Sequence, residues 1–436
     1  MKKITPTQRV ITGAFLLSIS GCAVASNVVT DSHLDLTLKN VGLINTTDSL
    51  SAAGVNDQIA WAQALHLDWQ SGWYQDVVGL NASWYGVTKL YASDDFMGRD
   101  VLRDNHGHAE GFNKLGMLYL KARWEEGQQK LQVNAGWQPL AKFGVLNITR
   151  SRGAPDSWEG ISADGTTGSL RARGALVTRF SERDSPDKSR FYTLRGNKRI
   201  GYIATGDLTW SPGQTTSIRL VAGGSENYLL RQGIEISQRW PVSEGITLLS
   251  RGVFYHNRGL SEWEGARGFT HSAQHFYGQF GMQYGDAETG VGWSKTRAKL
   301  DGGLGHFYWH FGKNSRGFIN SAADGEGNDY INDGEQMIYL YSQYRLTPRL
   351  LTGVYGNYGY NIRYQGVGLH EWEYGAFAAW EPESIKNLRL FLGLGPSYSW
   401  KLNHHGQPWL SADGKNFHRA KGVGGLLSIE YQLGLF

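Results

Sequence analysis

Residues 59–69 read IAWAQALHLDW, and their alternation decides the fold. Ile59, Trp61, Gln63, Leu65, Leu67 and Trp69 hold one parity, and Ala60, Ala62, Ala64, His66 and Asp68 the other. Successive side chains of a strand point to opposite faces, so this segment has one oily face and one small or polar face. Similar splits occur at Val78, Leu80, Ala82 and Trp84, and at Leu131, Val133, Ala135 and Trp137. Leu118, Leu120, Ala122 and Trp124 oppose Lys121 and Arg123. Further on, Leu170, Ala172 and Leu176 oppose Arg171, Arg173 and Arg179, and Trp372, Tyr374, Ala376, Ala378 and Trp380 oppose Glu371, Glu373 and Gly375.

The breaks between such stretches are unequal. Asp164-Gly165, Ser211-Pro212-Gly213-Gln214, Gly285-Asp286-Ala287 and Leu346-Thr347-Pro348-Arg349 carry tight-turn chemistry. Long breaks fall near 44–58, 91–111, 138–156, 181–199, 257–272, 298–334 and 402–419. Short turns at one end and long loops at the other predict an all-β chain, a transmembrane antiparallel β-barrel of about 18 strands. In lipid every backbone polar group must be paired within the protein, so a sheet survives there only by closing, oily side outward and polar side toward water. Trp residues at the ends of the oily stripes, such as Trp61, Trp69, Trp124, Trp210, Trp240 and Trp380, suit an interfacial girdle. The last strand runs to Phe436, although Gly434, Gln432 and Glu430 share the parity of that residue.

Composition narrows the alternatives. Beyond position 25 no apolar run approaches the roughly 18 residues of a spanning helix, and 16 Trp, 22 Tyr and 17 Phe exclude a disordered chain. Residues 1–25 read as a secretory signal, with Lys2, Lys3 and Arg9 before an apolar stretch and Ala23-Val24-Ala25 as cleavage site, leaving 26–436 as one barrel domain. Losing those three cations lowers the formal charge from +4 to about +1, and with no dense basic run this argues against nucleic acid as partner. Cys22, the one cysteine, either leaves with the signal or carries a lipid as the first residue; neither permits an internal disulfide.

Several segments resemble the OprD-type substrate-specific outer-membrane porins. They are Asp31-Ser32-His33-Leu34, Trp69-Gln70-Ser71-Gly72-Trp73 with Val78-Gly79-Leu80, Lys114-Leu115-Gly116, and the run from Ser151 through Pro155 and Trp158 to Gly160. Gly206-Asp207-Leu208-Thr209-Trp210, followed by Gly223, Glu226, Tyr228 and Gln232, continues the likeness. The resemblance implies a channel in the outer membrane of a Gram-negative bacterium. It would pass amino acids, carboxylates or, in a chitoporin-like branch, amino-sugar oligosaccharides by facilitated diffusion, with neither cofactor nor catalysis. Its partners would be the small polar solute, outer-membrane lipid and lipopolysaccharide, and the barrel-assembly machinery, with the barrel a monomer or a trimer.

By the same resemblance the connection from Gln138 to Asp156 is the inward-folded constriction loop, with Lys142, Arg150, Arg152 and Asp156, and Trp158 just beyond it. Strand parity turns Lys121, Arg123, Arg171, Arg173, Arg179, Arg219, Arg251 and Arg389 into the lumen. This set resembles the family's basic ladder, along which guanidinium forks can hand on a carboxylate. The same parity turns in Asp68, Glu235, Glu371 and Glu373, which can pair with it. Trp158, Trp263 and the aromatic run Phe307 to Phe311 are candidates for stacking on sugars.

Catalytic and metal readings are weak. His106-Gly107-His108 and His404-His405 lack further ligands at zinc spacing, and Asp324 to Glu335 lacks calcium-loop spacing and reads as a flexible exposed loop. Two other accounts remain open: a general diffusion porin, and a secreted or periplasmic carbohydrate-binding β-protein.

Overall fold

The computed structural model describes residues 25–47, 57–93, 97–265 and 268–436; the expected signal and Cys22 lie outside them, apart from Ala25. The alternating segments form β1 (His33–Thr47), β2 (Asp57–Gln70), β3 (Val78–Ala92), β4 (Phe112–Glu126), β5 (Gln129–Gln138), β6 (Ser157–Thr167) and β7 (Leu170–Ser181). After β8 (Lys188–Tyr192) and β9 (Arg199–Ile200) come β10 (Ile203–Trp210), β11 (Thr216–Ser225), β12 (Leu229–Ser243), β13 (Ile246–Gly259), β14 (Ser272–Tyr284) and β15 (Ala287–Arg297). The chain ends with β16 (Gln336–Thr347), β17 (Leu350–Tyr364), β18 (Val367–Trp380), β19 (Leu388–Trp400) and β20 (Arg419–Gly434).

Apart from β9 and β10, consecutive strands pair antiparallel, and β1 pairs with both β2 and β20, so the sheet closes. Because β7 pairs directly with β10, the small β8–β9 hairpin stands outside the ring and the barrel has 18 strands. Closure removes every edge, which is why so apolar an outer wall needs no partner sheet. Leu120, Leu220, Phe280, Leu340, Val354 and Leu392 are each half exposed on that wall, where lipid covers them. Inside, Ala60, Ala62 and Ala64 are buried beneath folded-in loops.

Two details depart from the sequence reading. Asp164 and Gly165 lie within β6, and the turn is Gly168-Ser169. Gly168 takes the left-handed φ of +54° that the turn requires, while Asp164 faces the lumen and pairs with Arg171. The last strand ends at Gly434, and the carbonyl of Phe436 accepts from the Leu34 amide (3.1 Å).

Candidate functional site

The connection 139–156 leaves β5 and crosses the lumen. On one side the Gly144 amide donates to Asp207 Oδ2 (2.6 Å) and the Val145 amide to Thr205 Oγ1 (2.8 Å), both on β10. Gly144 is required there, because its φ is +57° and a Cβ would lie 2.1 Å from Thr205 Oγ1. On the other side Lys39 Nζ of β1 donates to the Arg150 carbonyl, and His66 Nε2 of β2 lies 2.6 Å from the Gly153 carbonyl. Anchored at both walls, the segment narrows the barrel.

A second connection, 298–335, also folds inward. This corrects the expectation of a flexible exposed loop at Asp324 to Glu335. Arg231 on β12 is fully buried; its guanidinium donates to Asn257 Oδ1 (2.8 Å) and to the carbonyls of Tyr308 (2.9 Å) and Phe318 (3.1 Å), between the rings of Phe307 and Phe311. That packing accounts for the aromatic run, whose Phe307 and Phe311 are buried rather than offered to a solute. The Glu373 carboxylate receives the amides of Glu326 (3.1 Å), Gly327 (2.7 Å) and Asn328 (3.0 Å), while Glu371 accepts from Asn332 and Ser399 (2.9 Å each). The two loops touch, the Phe318 amide donating to the Val145 carbonyl (2.9 Å).

Between loop and wall lies a cavity of about 610 Å³ lined by Lys142, Arg150, Arg171, Arg173, Arg219 and Glu235, along with Ala141, Asn147 and Ile148. Arg171 pairs with Asp164 (2.5 Å), Arg173 with Asp207 (2.9 Å), and Arg219 with both Asp207 (3.1 Å) and Glu235 (2.9 Å). Arg173 and Arg219 also donate to the Lys142 carbonyl (2.5 and 2.8 Å), so the same guanidinium groups fix the loop and line the passage. Lys142 and Arg150 are exposed and have no ion-pair partner among the described residues. Of the five cations that line this cavity, these are the two without an ion-pair partner among the described residues.

The other expected residues divide. Arg251 donates to the Asn320 carbonyl and Oδ1 and holds the second loop. Lys121 and Arg123 stand over Trp73, and Arg123 and Arg389 pair with Asp76 (3.4 Å) and Glu381 (3.4 Å) at the short-turn end. Asp68 and Arg389 line a smaller cavity of about 240 Å³ with Lys39, His66, Arg150 and Glu430. Glu371 and Glu373 are buried anchors rather than lumen acids.

Arg179 does not face the lumen. Val177 pairs with Gly160 but Arg179 with Glu159, so a bulge at Thr178 reverses the parity, and Arg179 meets Glu159 (3.2 Å) beside outward-facing Trp137. Trp158 is also displaced from its expected place: it is the second residue of β6, is fully buried, and packs on Phe180 with centroids 4.3 Å apart.

Arg152 and Asp156 belong to an ion network above the constriction. Arg152 and Arg183 clasp Asp100 (2.6 and 2.9 Å), and Arg316 approaches Asp156 (3.7 Å) and Glu182 (3.8 Å). Burial would raise the Asp100 carboxyl, but Arg183 and Arg152 hold it well below its ordinary range. Asp156 is pushed up to about 6 and Glu182 to about 7 by burial, against the pull of Arg316. The network welds the segments 97–111, 139–156, 182–202 and 298–335 into one unit. Parity reading passed over Arg231 and Asp207, although Arg231 shares the parity of Glu235 and Asp207 stands in the quoted Gly206 segment. Among the described residues no group of three or more His, Cys, Asp or Glu side chains is placed to hold a metal ion.

The family model described as outer membrane porin, OprD family, matches residues 26–380. Among solved structures, Pseudomonas aeruginosa OccK9 superposes with a TM-score of 0.74 at 17% identity, over 94% of this chain and 100% of that one. Acinetobacter baumannii OccAB1 gives 0.76 at 15% identity over 94% and 98%, and Pseudomonas aeruginosa OpdK with vanillate 0.72 at 17% over 93% and 100%. No curated protein sequence matches the chain. The sheet closes into a barrel and the family model covers most of the sequence: the chain belongs to the OprD family of outer-membrane porins.

Proposed function

We propose that this porin is selective for small solutes carrying a carboxylate, which cross by diffusion without a cofactor or a catalytic step. The observation that carries the reading is the cavity at the constriction, where five basic side chains converge and Lys142 and Arg150 have no acid partner. Charge-assisted bonds to Arg and Lys orient a carboxylate. Conduction also requires that each contact be weak enough to release it, and the acids already paired with Arg171, Arg173 and Arg219 provide that weakening. The relative OpdK, crystallised with vanillate, supplies a probe of suitable chemistry. Oligosaccharides are less favoured, because Trp158, Phe307 and Phe311 are spent on packing.

The test is a planar bilayer recording of the purified barrel. Anions should carry most of the current, and vanillate or another small carboxylate should interrupt it more than a neutral sugar of similar size. Equal passage of all three would point to a general diffusion porin.

A further inference from the structure

We propose that the outer wall of β13, β14 and β15 carries a binding site for the phosphate groups of an outer-leaflet glycolipid, the phosphorylated lipid anchor of lipopolysaccharide. Phe254, Phe276 and Trp293 face outward on these strands, each more than a third exposed, with the Phe276 and Trp293 ring centres 5.6 Å apart. Such a band marks where hydrocarbon gives way to headgroups. The next outward positions toward the long loops are His256 and Arg258 on β13, Gln274 and Ser272 on β14, and Lys295 and Arg297 on β15. The register binds them into one patch: Phe276 opposes Lys295, Gln274 opposes both His256 and Arg297, and Ser272 opposes Arg258. Neighbouring strands are about 4.8 Å apart, so the three cations lie within reach of one phosphorylated disaccharide.

Among the described residues no acid is ion-paired to this patch. Its outward neighbours across the register are Leu230 and Gln232 on β12 and Gln336 and Ile338 on β16. The acids of the adjoining loop are committed elsewhere, Glu262 to Lys198 (2.6 Å) and Glu264 to the amides of Arg195 and Gly196 (2.7 Å each). Arg258, Lys295 and Arg297 have no ion-pair partner among the described residues, whereas outward-facing Arg179 on β7 is balanced by Glu159. Unpaired cations just above an aromatic band complement a lipid that is apolar below and carries phosphates at that height. Arg258 also lines a polar groove of about 830 Å³ among the outer loops, with Arg195, His271, His405, Glu264 and Asp301, the last 3.9 Å from Lys299, which gives headgroup sugars room.

The experiment compares the full barrel with the triple variant Arg258→Gln, Lys295→Gln, Arg297→Gln in detergent, titrated with bis-phosphorylated lipid A and followed by native mass spectrometry. Wild-type protein should retain lipid A and release its dephosphorylated form. The triple variant should bind roughly a hundredfold more weakly, from about one surface cation's attraction per residue removed. Arg179→Gln should bind as wild type, and unchanged single-channel conductance in every variant shows that the barrel is folded. The proposal is overturned if the triple variant keeps lipid A, if dephosphorylated lipid A binds equally well, or if millimolar inorganic phosphate displaces the lipid completely.

Discussion

The two inward connections solve one problem in different ways. Segment 139–156 is held by arginines on the wall that grip its carbonyls and by Asp207 and Thr205, which take its amides, so its own Lys142 and Arg150 remain free. Segment 298–335 is held by buried charge: Arg231 grips its carbonyls, and Glu371 and Glu373 take up its amide groups. The first spends wall residues on position and leaves Lys142 and Arg150 without an ion-pair partner among the described residues. The second spends nearly everything on position. A burial cost that must be met by hydrogen bonds leaves little for function, so the second segment reads as backing, and the proposed selectivity rests on the first.

The largest effect should come from removing the pin of the second segment. Arg231→Met takes the donor from the Phe318 carbonyl and from Asn257 Oδ1 in a dry interior, while the Tyr308 carbonyl keeps the Asn257 side-chain amide (2.6 Å), at a local cost of about 1–3 kcal/mol per stranded acceptor. We expect a several-fold rise in single-channel conductance and new protease cleavage between residues 298 and 335. An unaltered conductance would mean that this segment does not narrow the passage.

Next is the double variant Lys142→Gln, Arg150→Gln, which keeps the first segment in place and removes its free charge. Reversal potentials in a salt gradient should shift most of the way toward no ion preference. The pair Arg171→Gln, Arg173→Gln should shift them less, since each of those cations is already balanced, and an equal shift would erase the distinction between free and paired charge.

A smaller, pH-dependent effect separates the anchors. Burial, reinforced by Asp329, pushes the Glu335 carboxyl up to about 8 from an ordinary 4.5, and burial with Glu326 takes Asp324 to about 7. Between those limits the folded loop holds protons that the released loop has lost, so its anchorage is full below about pH 4.5 and weakens as pH rises toward 8. Protease sensitivity of 298–335 should increase from pH 5 to pH 8, and Glu335→Gln should flatten that profile. A flat wild-type profile would exclude proton-linked anchorage.

The smallest effect is assigned to Arg179→Gln, which should leave ion selectivity within error of wild type because the side chain faces lipid. A selectivity shift as large as that of the Lys142 and Arg150 pair would place it back in the lumen.

The sequence by itself determined the barrel, its strand number and the rough wall positions, because a period of two is imposed locally by the extended backbone and lipid penalises every departure from it. It also singled out the connection 138–156 through a resemblance, and five of the basic residues named from it and from parity line one cavity. Parity failed at Arg179, since one extra residue in a bulge inverts every later side chain and leaves no periodic trace. It also failed to foresee the second inward segment, which follows from Arg231, Glu371 and Glu373, residues that look like ordinary lumen charges until the chain that covers them is in place. Which charges are free and which are spent is a property of pairs distant in sequence, so only the tertiary structure decided that Lys142 and Arg150 line the cavity without an ion-pair partner among the described residues.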